Sequence, residues 1–189
     1  MSSVLDEPQT TVAELLAMPE DGYEYYLIQG HLYRRKSVLH VPAHASAMVQ
    51  IGTHLETWNQ LRPLPRGTVY CGNAGVCLAR QPDTVVGVDV VYVAAKLDDF
   101  ETEDTTLIDL LPTLVIEILS PSEVFKDIKE KIELYQKHRV PLIWVIDPYD
   151  RTVTIYRLDA EPELVNVRQE LSGEPFQPGF RVPVAEIFG

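Results

Sequence analysis

The sequence predicts a mixed α/β (α+β) domain, a central sheet flanked by helices with a hairpin near the N-terminus. Three observations predict it. Residues 85–93 and 113–119 are apolar on both alternating faces, the pattern of central strands covered on two sides. Residues 123–138 show the apolar period of an amphipathic helix and lead into a third apolar strand, 142–147. A connection of that length suits a parallel crossover. With 189 residues, the chain is read as a single domain over 1–189, long enough to bury a sizeable core.

The remaining elements follow in order. Thr11-Val12-Ala13-Glu14 has capping-box spacing, so a short helix begins there with Val12, Leu15, Leu16 and Met18 on its apolar side. Residues 23–28 and 31–35 read as strands joined by the turn Gln29-Gly30. A longer helix is expected from about His44 to Leu61, with Met48, Ile51, Leu55 and Trp58 at helical spacing and Pro63 and Pro65 beyond its end. Residues 68–71 and 75–79 read as two short strands around Gly72-Asn73-Ala74-Gly75. Residues 151–157 pair with 142–147 through Asp147-Pro148-Tyr149-Asp150, 164–169 form a weaker strand, and the tail is rich in Pro and Gly.

Composition narrows the function. A net charge of −12 argues against a general nucleic-acid binder, because phosphate contact needs Lys and Arg, but it permits a local basic groove. Six acids and no bases between Asp98 and Asp109 read as a solvated loop. No apolar run reaches the length of a membrane span and the first residues lack a basic, apolar signal peptide, so a cytoplasmic protein is expected. Cys71 and Cys77 have neither CxxC spacing nor a His partner, which fits small core residues in a reducing compartment.

Two acids stand alone inside the apolar strands. Asp89 interrupts Val85-Val86-Gly87-Val88-Asp89-Val90-Val91-Tyr92-Val93, and Glu117 interrupts Leu114-Val115-Ile116-Glu117-Ile118-Leu119. Charges are rarely tolerated there unless paired or bound to a metal. The next helix supplies a cation: Val124, Ile128, Ile132 and Tyr135 define its apolar stripe, and Lys131 projects within that stripe while Lys126, Lys129 and Lys137 do not. Asp127, one turn earlier, borders the stripe and either pairs with Lys131 or leans toward a metal. The functional reading makes Asp89 and Glu117 ligands of Mg²⁺ or Mn²⁺, and Lys131 the group that steadies a water or developing charge during phosphodiester hydrolysis. The competing reading is a buried salt-bridge network without catalysis.

The run Leu114-Val115-Ile116-Glu117-Ile118-Leu119-Ser120-Pro121-Ser122, then Asp127, Lys131 and Tyr135, then Val140-Pro141-Leu142-Ile143-Trp144-Val145-Ile146-Asp147-Pro148 resembles the Uma2-type family. Its members belong to the PD-(D/E)XK restriction-endonuclease-like superfamily. Tyr25-Tyr26-Leu27-Ile28-Gln29-Gly30 resembles the family's opening hairpin, and a similar helix begins at His44, so the likeness spans about the whole chain. The resemblance implies a restriction-endonuclease-like fold, a metal-dependent endonuclease acting on DNA, and a homodimer. It makes Asp89 the motif aspartate and Glu117 the motif acid. The superfamily lysine, two residues after the acid, is Leu119 here, and Lys131 is the matching migrated position. Val88 replaces a proline, and Tyr26 stands where the family hairpin carries a glutamate, with Glu24 one pleat away. The alternative from another functional class is a non-catalytic member that keeps the fold as a binding or dimerisation module.

Other residues are less promising. The five histidines lack a metal spacing and read as surface or packing residues, with His44 the best of them because it opens the long helix. Arg34, Arg35 and Lys36 form the one basic cluster, open to phosphate contact or to plain solvation.

Overall fold

The computed structural model describes residues 9–36, 41–95, 107–120 and 125–189. The elements run in the order α1 (Val12–Leu16), β1 (Tyr23–Ile28), β2 (His31–Lys36), α2 (Pro42–Leu61), β3 (Thr68–Ala79), β4 (Thr84–Val93), β5 (Leu114–Ile118), α3 (Phe125–Lys137), β6 (Leu142–Asp147), β7 (Thr152–Arg157), β8 (Glu163–Asn166), β9 (Glu170–Ser172), β10 (Arg181–Pro183) and α4 (Val184–Ile187). An eight-stranded, mostly antiparallel sheet has the order β2-β1-β4-β5-β6-β7-β8, with β3 paired to β4. The β5–β6 pair is parallel, as the crossover length predicts. Among the described residues, no helix is long and apolar enough to cross a membrane.

Helices cover both faces of the sheet. Val90, Ile116, Ile118, Trp144 and Ile146 pack with Ala47, Ile51 and Leu55 of α2. Val91, Val93, Val115 and Ile143, of the opposite parity, pack with Leu134 and Tyr135 of α3. This double burial is why the two strand runs carry apolar residues at successive positions.

Local chemistry explains the boundaries. The Thr11 capping box is present, with the Glu14 carboxylate accepting from the Thr11 N–H at 2.7 Å and the Thr11 hydroxyl accepting from the Glu14 N–H. Gln29 (φ 53°) and Gly30 (φ 77°) form the tight turn between β1 and β2, where two positive φ angles match the strand twist. The long helix starts at Pro42, two residues before the expected His44, because proline at the first helical position loses no hydrogen bond. It stops at an extended Arg62, which Pro63 bars from helical geometry.

Two expectations change. Residues 68–79 form one strand, not two: Gly72 (φ 99°) and Asn73 (φ 60°) make a bulge between the Cys71 and Ala74 pairings, and the chain resumes the same partner, β4. The Pro- and Gly-rich tail is ordered as β9, β10 and α4, and Phe180, Val182, Val184 and Ile187 enter the core beside α2. Phe180 lies against Trp58 and Trp144, with ring centroids 5.9 and 5.3 Å apart. Of the two cysteines expected in the core, Cys77 is buried, but Cys71 is exposed, beside Gly52 of α2 at the β3 bulge. Residues 98–106 of the acidic run lie outside the described residues, while Asp109 pairs with Arg80 at 2.6 Å.

The sheet forks at β4. One edge of β4 follows β3 along most of its length. The other edge meets β1 only at Leu27↔Val85 and β5 at Val90↔Ile116, Val91↔Val115 and Tyr92↔Leu114. Between them, residues 86–89 form no ladder pair on that edge among the described residues.

Candidate active site

The fork positions the carboxylates. One step beyond the last β4–β5 rung, Val90↔Ile116, the antiparallel register sets Asp89 opposite Glu117 on the face covered by α3. There the Ile118 N–H donates to Asp89 Oδ2 at 2.8 Å, so a side chain takes a backbone hydrogen bond where the ladder has opened. His44, in the first turn of α2, brings Nε2 to 3.2 Å from the same oxygen. The imidazole is 2% exposed and Asp89 7%, so this polar contact is made in the interior.

Glu117 is 1% exposed and both its oxygens are engaged. Lys131 Nζ donates to Oε2 at 2.6 Å, and the Tyr135 hydroxyl donates to Oε1. The same ammonium donates to the Gly87 carbonyl at 3.1 Å, capping the open edge of β4. Burial and the nearby Asp89 charge push the Glu117 carboxyl up, against the pull of Lys131 and Tyr135, to about 7. For Asp89, burial pushes upward, but the His44 hydrogen bond, the Ile118 N–H and Lys131 together hold the carboxyl below its usual range. An ionised Asp89 only accepts, so His44 Nε2 carries the hydrogen of their contact. Burial and the Glu117 charge raise the Tyr135 hydroxyl well above its usual value, which keeps it a donor. Two neighbouring carboxyls are thus driven apart in acidity by their surroundings.

Asp89, Glu117 and Lys131, singled out in the sequence, therefore come together. The Asp127 side chain lies outside the described residues. His44, expected at the surface or in plain packing, is instead buried on Asp89, and Tyr135, read as part of the apolar stripe, places its hydroxyl on Glu117. The one hint of His44 was its place at the start of a long helix. Of the basic cluster, Arg35 Nε binds Glu24 Oε2 at 2.6 Å across β1 and β2, and the Arg34 guanidinium lies 4.7 Å from the centre of the Tyr23 ring. Tyr26 stacks on Tyr33 at 5.4 Å.

Among the described residues, no group of three or more His, Cys, Asp or Glu side chains gathers as a metal site. The fork offers a pair, Asp89 and Glu117. Asp89 Oδ1 has no hydrogen bond among the described residues, and carboxylate oxygens suit a hard divalent cation that keeps several waters.

Comparison with known proteins is consistent with this architecture. The profile of the Uma2 family, described as "Putative restriction endonuclease", matches residues 12–185. A crystal structure from Anabaena variabilis, described as a putative nuclease belonging to DUF820, aligns with a TM-score of 0.75 over 94% of this chain and 97% of that one. At 18% identity this likeness is one of fold. No curated protein matches the sequence.

Proposed function

The chain belongs to the Uma2 family of restriction-endonuclease-like nucleases, and from that premise we propose that it is a metal-dependent DNA endonuclease whose centre is Asp89, Glu117 and Lys131. The observation that carries this reading is the meeting of two carboxylates at the β4–β5 fork, with the Lys131 ammonium 2.6 Å from one of them. Asp89 and Glu117 would hold one Mg²⁺ or Mn²⁺. Such a cation supplies polarisation of the scissile phosphate and a water of lowered pKa.

The chain's own residues do the rest. The Ile118 N–H and His44 fix the Asp89 carboxylate by one oxygen and present the other. Lys131 spends two of its three donors on Glu117 and Gly87, leaving one for a phosphate oxygen or the attacking water. Tyr135 holds the second oxygen of Glu117 in place. Asp127, one turn before Lys131 on α3, is the auxiliary acid in this scheme.

One observation favours the non-catalytic module. Both Glu117 oxygens are already satisfied within the fold, so that carboxylate is compensated without a cation. Calorimetry with Mn²⁺ and cleavage of plasmid and single-stranded DNA at low salt separate the two readings. The enzyme is expected to bind Mn²⁺, cut DNA, and stop in EDTA. Loss of both binding and cutting, with no gain in Tyr26→Glu, establishes the module instead.

A further inference from the structure

Because β1 meets β4 only at Leu27↔Val85, the hairpin splays away from β4 and leaves a wedge between itself, α1 and α3. The wedge holds a cavity of about 610 Å³. Tyr23, Tyr25 and Tyr26 of β1 line it, with an apolar wall that includes Leu16 and Leu134. Gly87 and Lys131 also line it, so it opens onto the same ammonium that binds Glu117.

Size and charge restrict what can enter. Pockets of roughly 300–1,000 Å³ hold single small molecules, whereas the major groove of a duplex is by itself about 12 Å wide. The cationic lining (Arg34, Arg35, Lys131) is matched by Glu20, Glu24 and Glu130, and Arg35 is already bound to Glu24. A wall with both signs and aromatic rings does not select a polyanion. It suits a neutral, planar heteroaromatic group that carries donors and acceptors, which is a nucleobase. A net charge of −12 also makes a long phosphate track costly, while one extruded base brings few phosphates with it.

We propose that the wedge takes one unpaired nucleotide of the substrate strand, so that this chain acts on single-stranded or locally unpaired DNA. The proposal rests on the nuclease reading above. With the base between the hairpin and α3, the adjoining phosphate lies beside Lys131. Single-stranded or mismatched substrates are favoured because their bases need little or no unpairing.

The test measures binding in EDTA, where no cleavage occurs. The probes are a short oligonucleotide carrying one 2-aminopurine, used as a single strand, and the blunt duplex of the same sequence. The single strand is expected to bind at least about tenfold tighter, with a change in 2-aminopurine emission on binding. Leu16→Trp, which fills the wedge from a half-exposed position, and Tyr26→Ala are each expected to weaken single-strand binding about tenfold. Circular dichroism checks that each variant is folded. If one variant unfolds, the other decides, and the single-strand preference of the native chain is an independent criterion. Equal binding of both DNA forms, binding of neither, or native affinity in a folded variant overturns the proposal. A parallel cleavage assay in Mn²⁺ keeps the two claims apart. Cleavage indifferent to the wedge variants sinks the wedge alone, and wedge-dependent binding without cleavage sinks the nuclease reading alone.

Discussion

Lys131 Nζ lies 2.6 Å from Glu117 Oε2 and also caps the Gly87 carbonyl, so one ammonium both neutralises a buried carboxylate and closes an open strand edge. Removing one partner of such a pair costs more than the pair contributes, because the other is left buried and uncompensated.

Lys131→Met is expected to lower DNA cleavage by at least about a hundredfold, the scale of losing one charge-stabilising donor. The fold should persist, since methionine keeps similar volume beside Leu134. Denaturation should show a larger stability loss at pH 8 than at pH 6, because Glu117, with a pKa of about 7, can take up a proton at the lower pH. Cleavage at the native rate would move the catalytic cation to another residue.

The pH dependence of stability without metal has a defined sign. Folded Glu117 keeps its proton up to about pH 7, whereas the unfolded chain loses it near 4.3. The unfolded state therefore binds fewer protons in that window, and the Glu117 contribution to stability falls as pH rises through it. Asp89, held low, acts oppositely: its contribution is present above about 3.9 and is lost as pH falls further. Urea melts in EDTA should show the decline between about pH 4.5 and 7, and Glu117→Gln should flatten it. A variant with the native slope would assign the titration elsewhere.

Metal binding should release protons for the same reason, since a ligand must give up its proton to bind. Mn²⁺ affinity is expected to rise from pH 6 to pH 8, with calorimetric heats that depend on buffer ionisation. Asp89→Asn and Glu117→Gln should each abolish binding and cleavage. Undiminished Mn²⁺ affinity in both variants would remove the pair from the metal site.

His44→Ala should cost roughly 10–100-fold in Mn²⁺ affinity or cleavage, the range for losing a group that orients a metal ligand. His44→Gln, which restores an N–H toward Asp89, should recover part of it. If Ala and Gln lower activity only in proportion to their loss of folded protein, His44 is a packing residue.

The sequence was most legible where burial acts on both sides of a strand. The runs of β4 and β5 read as central strands, and within them Asp89 and Glu117 stood out because an isolated charge breaks an apolar pattern. Lys131 was visible because a helix has a calculable inward face. His44 was not, because its contact depends on the fork at residues 86–89, and the failure of two strands to pair leaves no mark in local periodicity. The bulge at Gly72 and Asn73 looked like a break, since turn-type residues serve both purposes. The strands β9 and β10, three residues each, are too short to show an alternation.

The packing of Phe180, Val182, Val184 and Ile187 against α2 bears on the order in which the polypeptide is synthesised. These residues leave the ribosome after every member of the proposed Asp89–Glu117–Lys131 centre, yet they pack with the helix that carries His44. Until they arrive, α2 lacks part of its apolar contact surface, and Asp89 lacks its fixed imidazole. Assembly of the centre is thereby tied to completion of the fold, and a chain cut after Ser172 is expected to retain the sheet signals of β4 to β7 while losing cleavage. On the nuclease reading proposed above, cleavage is expected only once α2 is seated.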